Sequence, residues 1–324
     1  VRLEKHIDVA PPPAVINLDQ SLQPGDRYLF IGDGMTQQMF YTRAITAALL
    51  AAHPDTRLRT FNGGMTGATA ADAAPWIDEV LELAKPTVVF IAFGHNDALA
   101  ISRQQSTLEQ TANALSLLID KASAAPGVRQ VIVLGVPAVE GGAAMKATED
   151  QVNFHLKHVE DAIAARANAK QTPFIPLFEQ MRDRLVANIQ AGGATLSLDG
   201  YAPNELGHLV IASIILRTMG MSEEDFHRAC WSPIQPIKMG YVRPLLAYDA
   251  PPPTSAQASL SRSLYGAMRK HDETFFRLWR ISGKRPSAPS RNLLDRRAQA
   301  AWQGVIPIAE ALAEAADDQT QDSP

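Results

Sequence analysis

The sequence predicts a three-layer α/β/α sandwich built on a parallel five-stranded sheet, with a helical C-terminal extension. Three observations carry that expectation. Short apolar runs alternate with segments of helical spacing from residue 27 to residue 219, the pattern of successive βαβ units. The run 87–93 is apolar at nearly every position, as a strand covered by helices on both faces must be. Turns holding Gly34, Gly64 and Asn96 follow three of the runs. Right-handed crossovers bring such turns to one sheet edge, where ligands and catalytic groups collect.

In chain order, residues 1–25 read as an extended lead-in, with Pro11, Pro12 and Pro13, ending in the turn Pro24-Gly25-Asp26. Residues 27–31 form the first strand, which runs through a glycine-rich turn into a helix spaced by Gln38, Phe40, Ala44 and Ala48. A second strand spans 58–61, followed by the turn Asn62-Gly63-Gly64-Met65-Thr66-Gly67 and a helix over 70–83 with Asp72 near its start. The third strand is 87–93, and the helix over 106–124 is marked by Leu108, Ala112, Leu115, Leu118 and Ile119. Strands at 130–136 and 174–177 alternate with helices at 149–169, 178–191 and 205–219, the last two closed by Gly192-Gly193 and Gly220. Composition changes near Ala250, where Pro251-Pro252-Pro253-Thr254-Ser255 reads as a linker. Beyond it come a helix over 259–281, a proline-containing loop at 284–289, a helix over 296–315 interrupted at Pro307, and a polar tail at 317–324 with the composition of disorder.

The 324 residues suit one large α/β domain with an appendage, or two smaller domains. A net charge of −4 implies no bulk attraction to nucleic acid or to an anionic membrane. No apolar run is long enough to cross a bilayer. The one cysteine, Cys230, forms no intrachain disulfide and reads as a small hydrophobe beside Trp231. The N-terminal stretch is charged and lacks the apolar core of a signal peptide. Together these fit the cytoplasm, though a first residue of Val leaves the compartment open.

Four motifs then fall in order. Gly32-Asp33-Gly34-Met35-Thr36 resembles the first sequence block of the SGNH (GDSL-type) hydrolases, an esterase family: Gly32, Asp33 and Thr36 match, and Gly34 stands at the nucleophilic serine. Asn62-Gly63-Gly64-Met65-Thr66-Gly67 resembles the second block, with Gly64 at the oxyanion glycine. Gly94-His95-Asn96-Asp97 resembles the third, with Asn96 at the oxyanion asparagine. The stretch from Asp199-Gly200-Tyr201-Ala202-Pro203 to His208 resembles the last block, with Asp199 matching and Ala202 at the catalytic histidine. The resemblance implies a flavodoxin-like SGNH domain over about residues 20–225, preceded by a lead-in at 1–19 and followed by the linker and helical extension at 226–316.

The chemistry the resemblance implies is acyl transfer. A serine attacks an ester carbonyl, a histidine takes its proton, and an aspartate orients that histidine. Hydrogen-bond donors hold the developing oxyanion. By position this chain keeps the Gly34 N–H, the Gly64 N–H, the Asn96 side chain and Asp199, but neither the nucleophile nor the base. In triad hydrolases that loss costs about a million-fold, leaving roughly 10³–10⁴ over water. Two readings follow. One is a pseudo-esterase whose retained pocket, with Asp33, His95 and Tyr201 as further lining, binds an ester, a carbohydrate or an acylated ligand. The other is an active esterase or carbohydrate deacetylase with relocated groups, His95 serving as base.

The remaining polar residues have plainer readings. Thr36 suits a hydroxyl bonding the turn backbone, and His208 suits helix packing. His155 and His158 share a helix face but lack a third metal ligand, and no phosphate-binding loop is present, so no metal and no cofactor is expected. The Arg- and Lys-rich stretch 262–297, interleaved with Phe275, Phe276 and Trp279, fits amphipathic helices packed on the body or capping its cleft better than a nucleic-acid surface.

Overall fold

The computed structural model describes residue 16 and residues 22–141, 149–190, 192–222, 225–226, 255–279 and 288–321. The lead-in before residue 22 (Ile16 apart), Cys230, the 251–254 linker and most of the 284–289 loop lie outside them.

Five strands form one parallel sheet: β1 (Arg27–Gly32), β2 (Arg59–Gly64), β3 (Val88–Ala92), β4 (Gln130–Leu134) and β5 (Phe174–Ile175), in the order β2-β1-β3-β4-β5. This is the flavodoxin-like order, with the switch point beside β1. Register aligns Gly32 with Gly64 on one side and with Ala92 on the other, so the three turns expected at one edge do share it. β3 is buried throughout, as its unbroken apolar run requires. Helices cover both faces: α1 (Gly34–Gln37), α2 (Phe40–Ala52), α3 (Ala70–Ala73), α4 (Ile77–Ala84), α5 (His95–Ser102), α6 (Leu108–Ala124), α7 (Glu149–Ala169), α8 (Phe178–Gln190) and α9 (Glu205–Thr218).

Several elements differ from expectation for local reasons. The helix predicted over 70–83 is two helices, α3 and α4, because Pro75 lacks an N–H and cannot continue the first. Thr69 caps α3 in a reciprocal capping box with Asp72. The helix after β1 breaks at Met39, which takes a left-handed φ of +66° between α1 and α2. Helix α5 follows β3 directly, where the sequence showed only a turn.

The C-terminal extension is α10 (Ser255–Trp279), α11 (Ala288–Gln303) and α12 (Ile306–Gln321). The break falls at Gly304-Val305, ahead of Pro307, which sits harmlessly in the first turn of α12. That helix runs to Gln321, so residues 317–321 continue it rather than forming the expected tail. α10 and α12 pack on α2, and α10 also lies along β2, the strand at the sheet's edge. There Phe61 sits between the Arg27 and Arg59 guanidiniums, 4.5 and 4.7 Å from its centroid, and against His271 and Phe275 of α10. Covering an edge strand in this way removes a template for aggregation.

Candidate functional site

The first turn is tightly determined. Asp33 caps α1, accepting the Met35 N–H at 3.0 Å from a buried position. Burial, reinforced by the nearby Asp97 charge, pushes its carboxyl up to about 7. Thr36 is fully buried, and its hydroxyl pairs with the Tyr41 hydroxyl at 2.8 Å. A side chain at Gly32 would lie 2.2 Å from that Thr36 Oγ1, which is why the position is glycine. Gly34 is under no such constraint. Its backbone is not left-handed, and a Cβ there would meet nothing nearer than Thr66 Cα at 3.5 Å.

The second block packs onto the first through Asn62. Its Nδ2 donates to the Thr36 carbonyl at 2.6 Å, and its Oδ1 accepts the Gly64 N–H at 3.0 Å. Gly64 therefore does not present its N–H to the cleft. Its glycine identity has a packing cause instead, since a Cβ would fall 2.2 Å from the Gln37 nitrogen. Gly67, given no role in the sequence reading, has φ +80° and open space where a Cβ would stand. Thr66 lies against Gly34, so the Thr66–Gly67 peptide borders Gly34. Among the described residues, neither the Gly34 nor the Gly67 N–H has an acceptor. A glycine directly following Thr66 was the available signal.

The third block anchors this loop. Asn96 Nδ2 donates to the Ala68 carbonyl at 3.0 Å, fixing the amide and leaving its second N–H. Asp97, buried, accepts the Ala70 N–H at 3.2 Å and the Thr111 hydroxyl at 3.3 Å; burial raises its carboxyl to about 6. His95 is buried, and its Nε2 donates to the Pro137 carbonyl at 3.0 Å, so that nitrogen carries the proton. Burial lowers its pKa and holds the ring neutral.

The fourth block closes over the third. Tyr201 lies on the His95 ring at 4.8 Å between centroids, and its hydroxyl donates to the His95 carbonyl at 2.6 Å. Asp199 Oδ1 accepts the N–H groups of Tyr201 at 3.0 Å and Ala202 at 2.8 Å. That carboxylate holds its own turn. His208 is fully buried, stacks on Tyr41, and donates from Nε2 to Gln38 Oε1 at 2.8 Å. Burial drops its pKa to about 3, as expected of a packing residue. Among the described residues no group of three His, Cys, Asp or Glu could hold a metal, and no helix is long and apolar enough to cross a membrane.

A flavodoxin-like parallel sheet flanked by helices, with Gly34 and Asn96 in the first turns of α1 and α5 and Gly67 and Asp199 on loops, has the architecture of the three-layer α/β hydrolases. A family model described as the GDSL-like Lipase/Acylhydrolase family matches residues 30–210, and the chain belongs to that family. An acetylxylan esterase of Geobacillus stearothermophilus is 26% identical over 221 residues, covering 60% of this chain and 94% of that one. Among solved structures, a single-substitution mutant of an acetyl xylan esterase from the same organism superposes with a TM-score of 0.52 at 20% identity, over 62% of this chain and 97% of that one. A gut microbial diltiazem-metabolizing enzyme superposes with a TM-score of 0.53 at 22% identity, over 61% of this chain. The chain spans about half of that enzyme's length, 47%.

Proposed function

We propose that this chain is a catalytically impaired GDSL-like acylhydrolase, a pocket that binds an ester, carbohydrate or acylated ligand without turning it over. The observation that carries the reading is the Asp199 carboxylate. In the family it would orient a histidine; here it bonds backbone N–H groups, one of them that of Ala202, which stands where the histidine would be. Gly34 has no side-chain atom to attack a carbonyl.

The donors remain. The N–H of Gly34, the N–H of Gly67 and the second amide N–H of Asn96 form the set that would hold a carbonyl oxygen, with Gly67 taking the part first expected of Gly64. A relocated base has little support. The His95 ring is tied to Pro137 and lies under Tyr201, and His208 is enclosed and bonded to Gln38. The acetylxylan esterase relative makes an O-acetylated sugar the ligand class to try first.

The test is a stopped-flow assay with an activated acetate ester, beside calorimetry with acetylated xylooligosaccharide. The expected result is binding with no acyl-enzyme burst and no turnover above buffer. Turnover at ordinary esterase rates that His95→Ala abolishes would replace this reading with the relocated-base one.

A further inference from the structure

The family match ends at residue 210, yet helix α10, well beyond it, touches the framework of the candidate site at two points. At the first, Trp279 Nε1 donates to the backbone carbonyl of Asn62 at 3.3 Å, in a buried setting, with its ring tilted against Trp76 at 5.3 Å. Asn62 is the residue whose amide ties the Thr36 carbonyl to the Gly64 N–H. At the second, Asp272 pairs with Arg43 at 2.7 Å, and the same guanidinium reaches Met39 Sδ at 3.1 Å. Met39 is the left-handed hinge just after the turn that carries Gly34. Asp272 and Trp279 are seven residues apart, two helical turns, so one face of α10 grips both elements.

We infer that Trp279 is a positioning residue: the C-terminal helices hold Asn62, and through it the first and second turns of the candidate site, in register. This holds whether or not the site turns over an ester. A buried carbonyl on an edge strand needs a donor, and within this sheet only the β1 side of β2 is paired. Trp279 supplies that donor where a slip of the strand end would displace Gly64 and the Thr66–Gly67 peptide.

Amide hydrogen exchange on the full chain tests it. Trp279→Phe keeps the ring against Trp76 and removes the N–H. It should speed exchange at Gly64 and at Met65, whose N–H donates to the Gly32 carbonyl at 2.9 Å, by about three- to tenfold, the range expected for one net hydrogen bond, with β4 amides such as Ile132 unchanged. Trp302→Phe is the control. Trp302 is also buried in the extension, packed on His271, but its N–H has no acceptor among the described residues. It should leave Gly64 and Met65 unchanged. Asp272→Asn is the second variant, expected to speed exchange in residues 36–39 and to remain readable if Trp279→Phe folds poorly. Equal effects of Trp279→Phe and Trp302→Phe, or no local effect from Trp279→Phe and Asp272→Asn, would overturn the inference.

Discussion

Asp199 accepts the N–H of Ala202 at 2.8 Å, so the carboxylate of the fourth block meets the residue at the family's histidine position through backbone alone. The turn is held whatever side chain follows Asp199 by three residues. On the proposed reading, the scaffold for a base survives without the base, and so does the scaffold for a nucleophile at Gly34.

The two absences on which the proposal rests can be repaired together. Gly34→Ser places a Cβ where 3.5 Å of clearance exists, and Ala202 is only half-buried, so an imidazole has solvent to extend into. Because nucleophile and base act as a unit, the double variant Gly34→Ser with Ala202→His should hydrolyse an activated acetate ester at least about a hundredfold faster than either single variant. Initial rates under matched conditions decide it. Singles as fast as the double would mean that another group already supplies the missing chemistry.

The glycines of the site should separate sharply in stability. Gly34→Ser meets only ordinary contacts and is expected to shift stability by less than about 1 kcal/mol. Gly64→Ala drives a methyl to 2.2 Å from the Gln37 nitrogen, against backbone that cannot rotate away, and should cost about 2–4 kcal/mol. Urea denaturation of the two variants beside the parent reads the difference.

Opposed buried groups give stability a bend with pH. The Asp33 carboxyl titrates at about 7 in the fold and Asp97 at about 6, against about 3.9 unfolded. Above about pH 4 the fold therefore keeps protons that the unfolded chain releases, and stability falls as pH rises toward about 7. Burial lowers the pKa of His95, of His271, and of His208 to about 3. Below about 6.5 the unfolded chain takes up protons that the fold refuses, and stability falls as pH drops. Asp33→Asn should flatten the decline approaching pH 7, and His208→Gln should lessen the loss in acid. Denaturation midpoints at stepped pH check both; a parallel pH profile for parent and Asp33→Asn would count against a buried neutral Asp33.

What could be read in advance was what repeats at short range. Apolar runs such as Val88–Ala92 and four motifs in order fixed the sheet and brought Gly34, Asn96 and the 66–68 loop to one edge. What was missed depends on three-dimensional contact. Gly63, Gly64 and Gly67 look alike in sequence, and only the Asn62 hydrogen bond shows that Gly64 has its N–H occupied. Helix α5 was hidden because its polar start, His95 to Asp97, reads as a turn until Pro137, Ala68 and Ala70 supply partners. The grip of α10 on β2 joins residues 217 apart in the chain, which no local pattern encodes.

That long-range grip has a measurable share in folding. Arg43 and Asp272 are 12% and 6% exposed at their side chains, whereas the Asp161 partner of Lys157 on α7 is 63% exposed. Removing one member of a nearly buried pair strands the other charge where water screens it poorly. Asp272→Ala should therefore cost about 2–4 kcal/mol, somewhat less than full burial would impose because Arg43 keeps some access to solvent. Asp161→Ala removes a pair one helical turn apart in solvent and should cost less than about 0.5 kcal/mol. Added salt distinguishes the two further: screening should erase the Asp161 effect and leave most of the Asp272 effect. Urea midpoints for both variants at low and high ionic strength measure this, and an Asp272→Ala penalty as small and as salt-sensitive as that of Asp161→Ala would show that the extension is only loosely held by this contact.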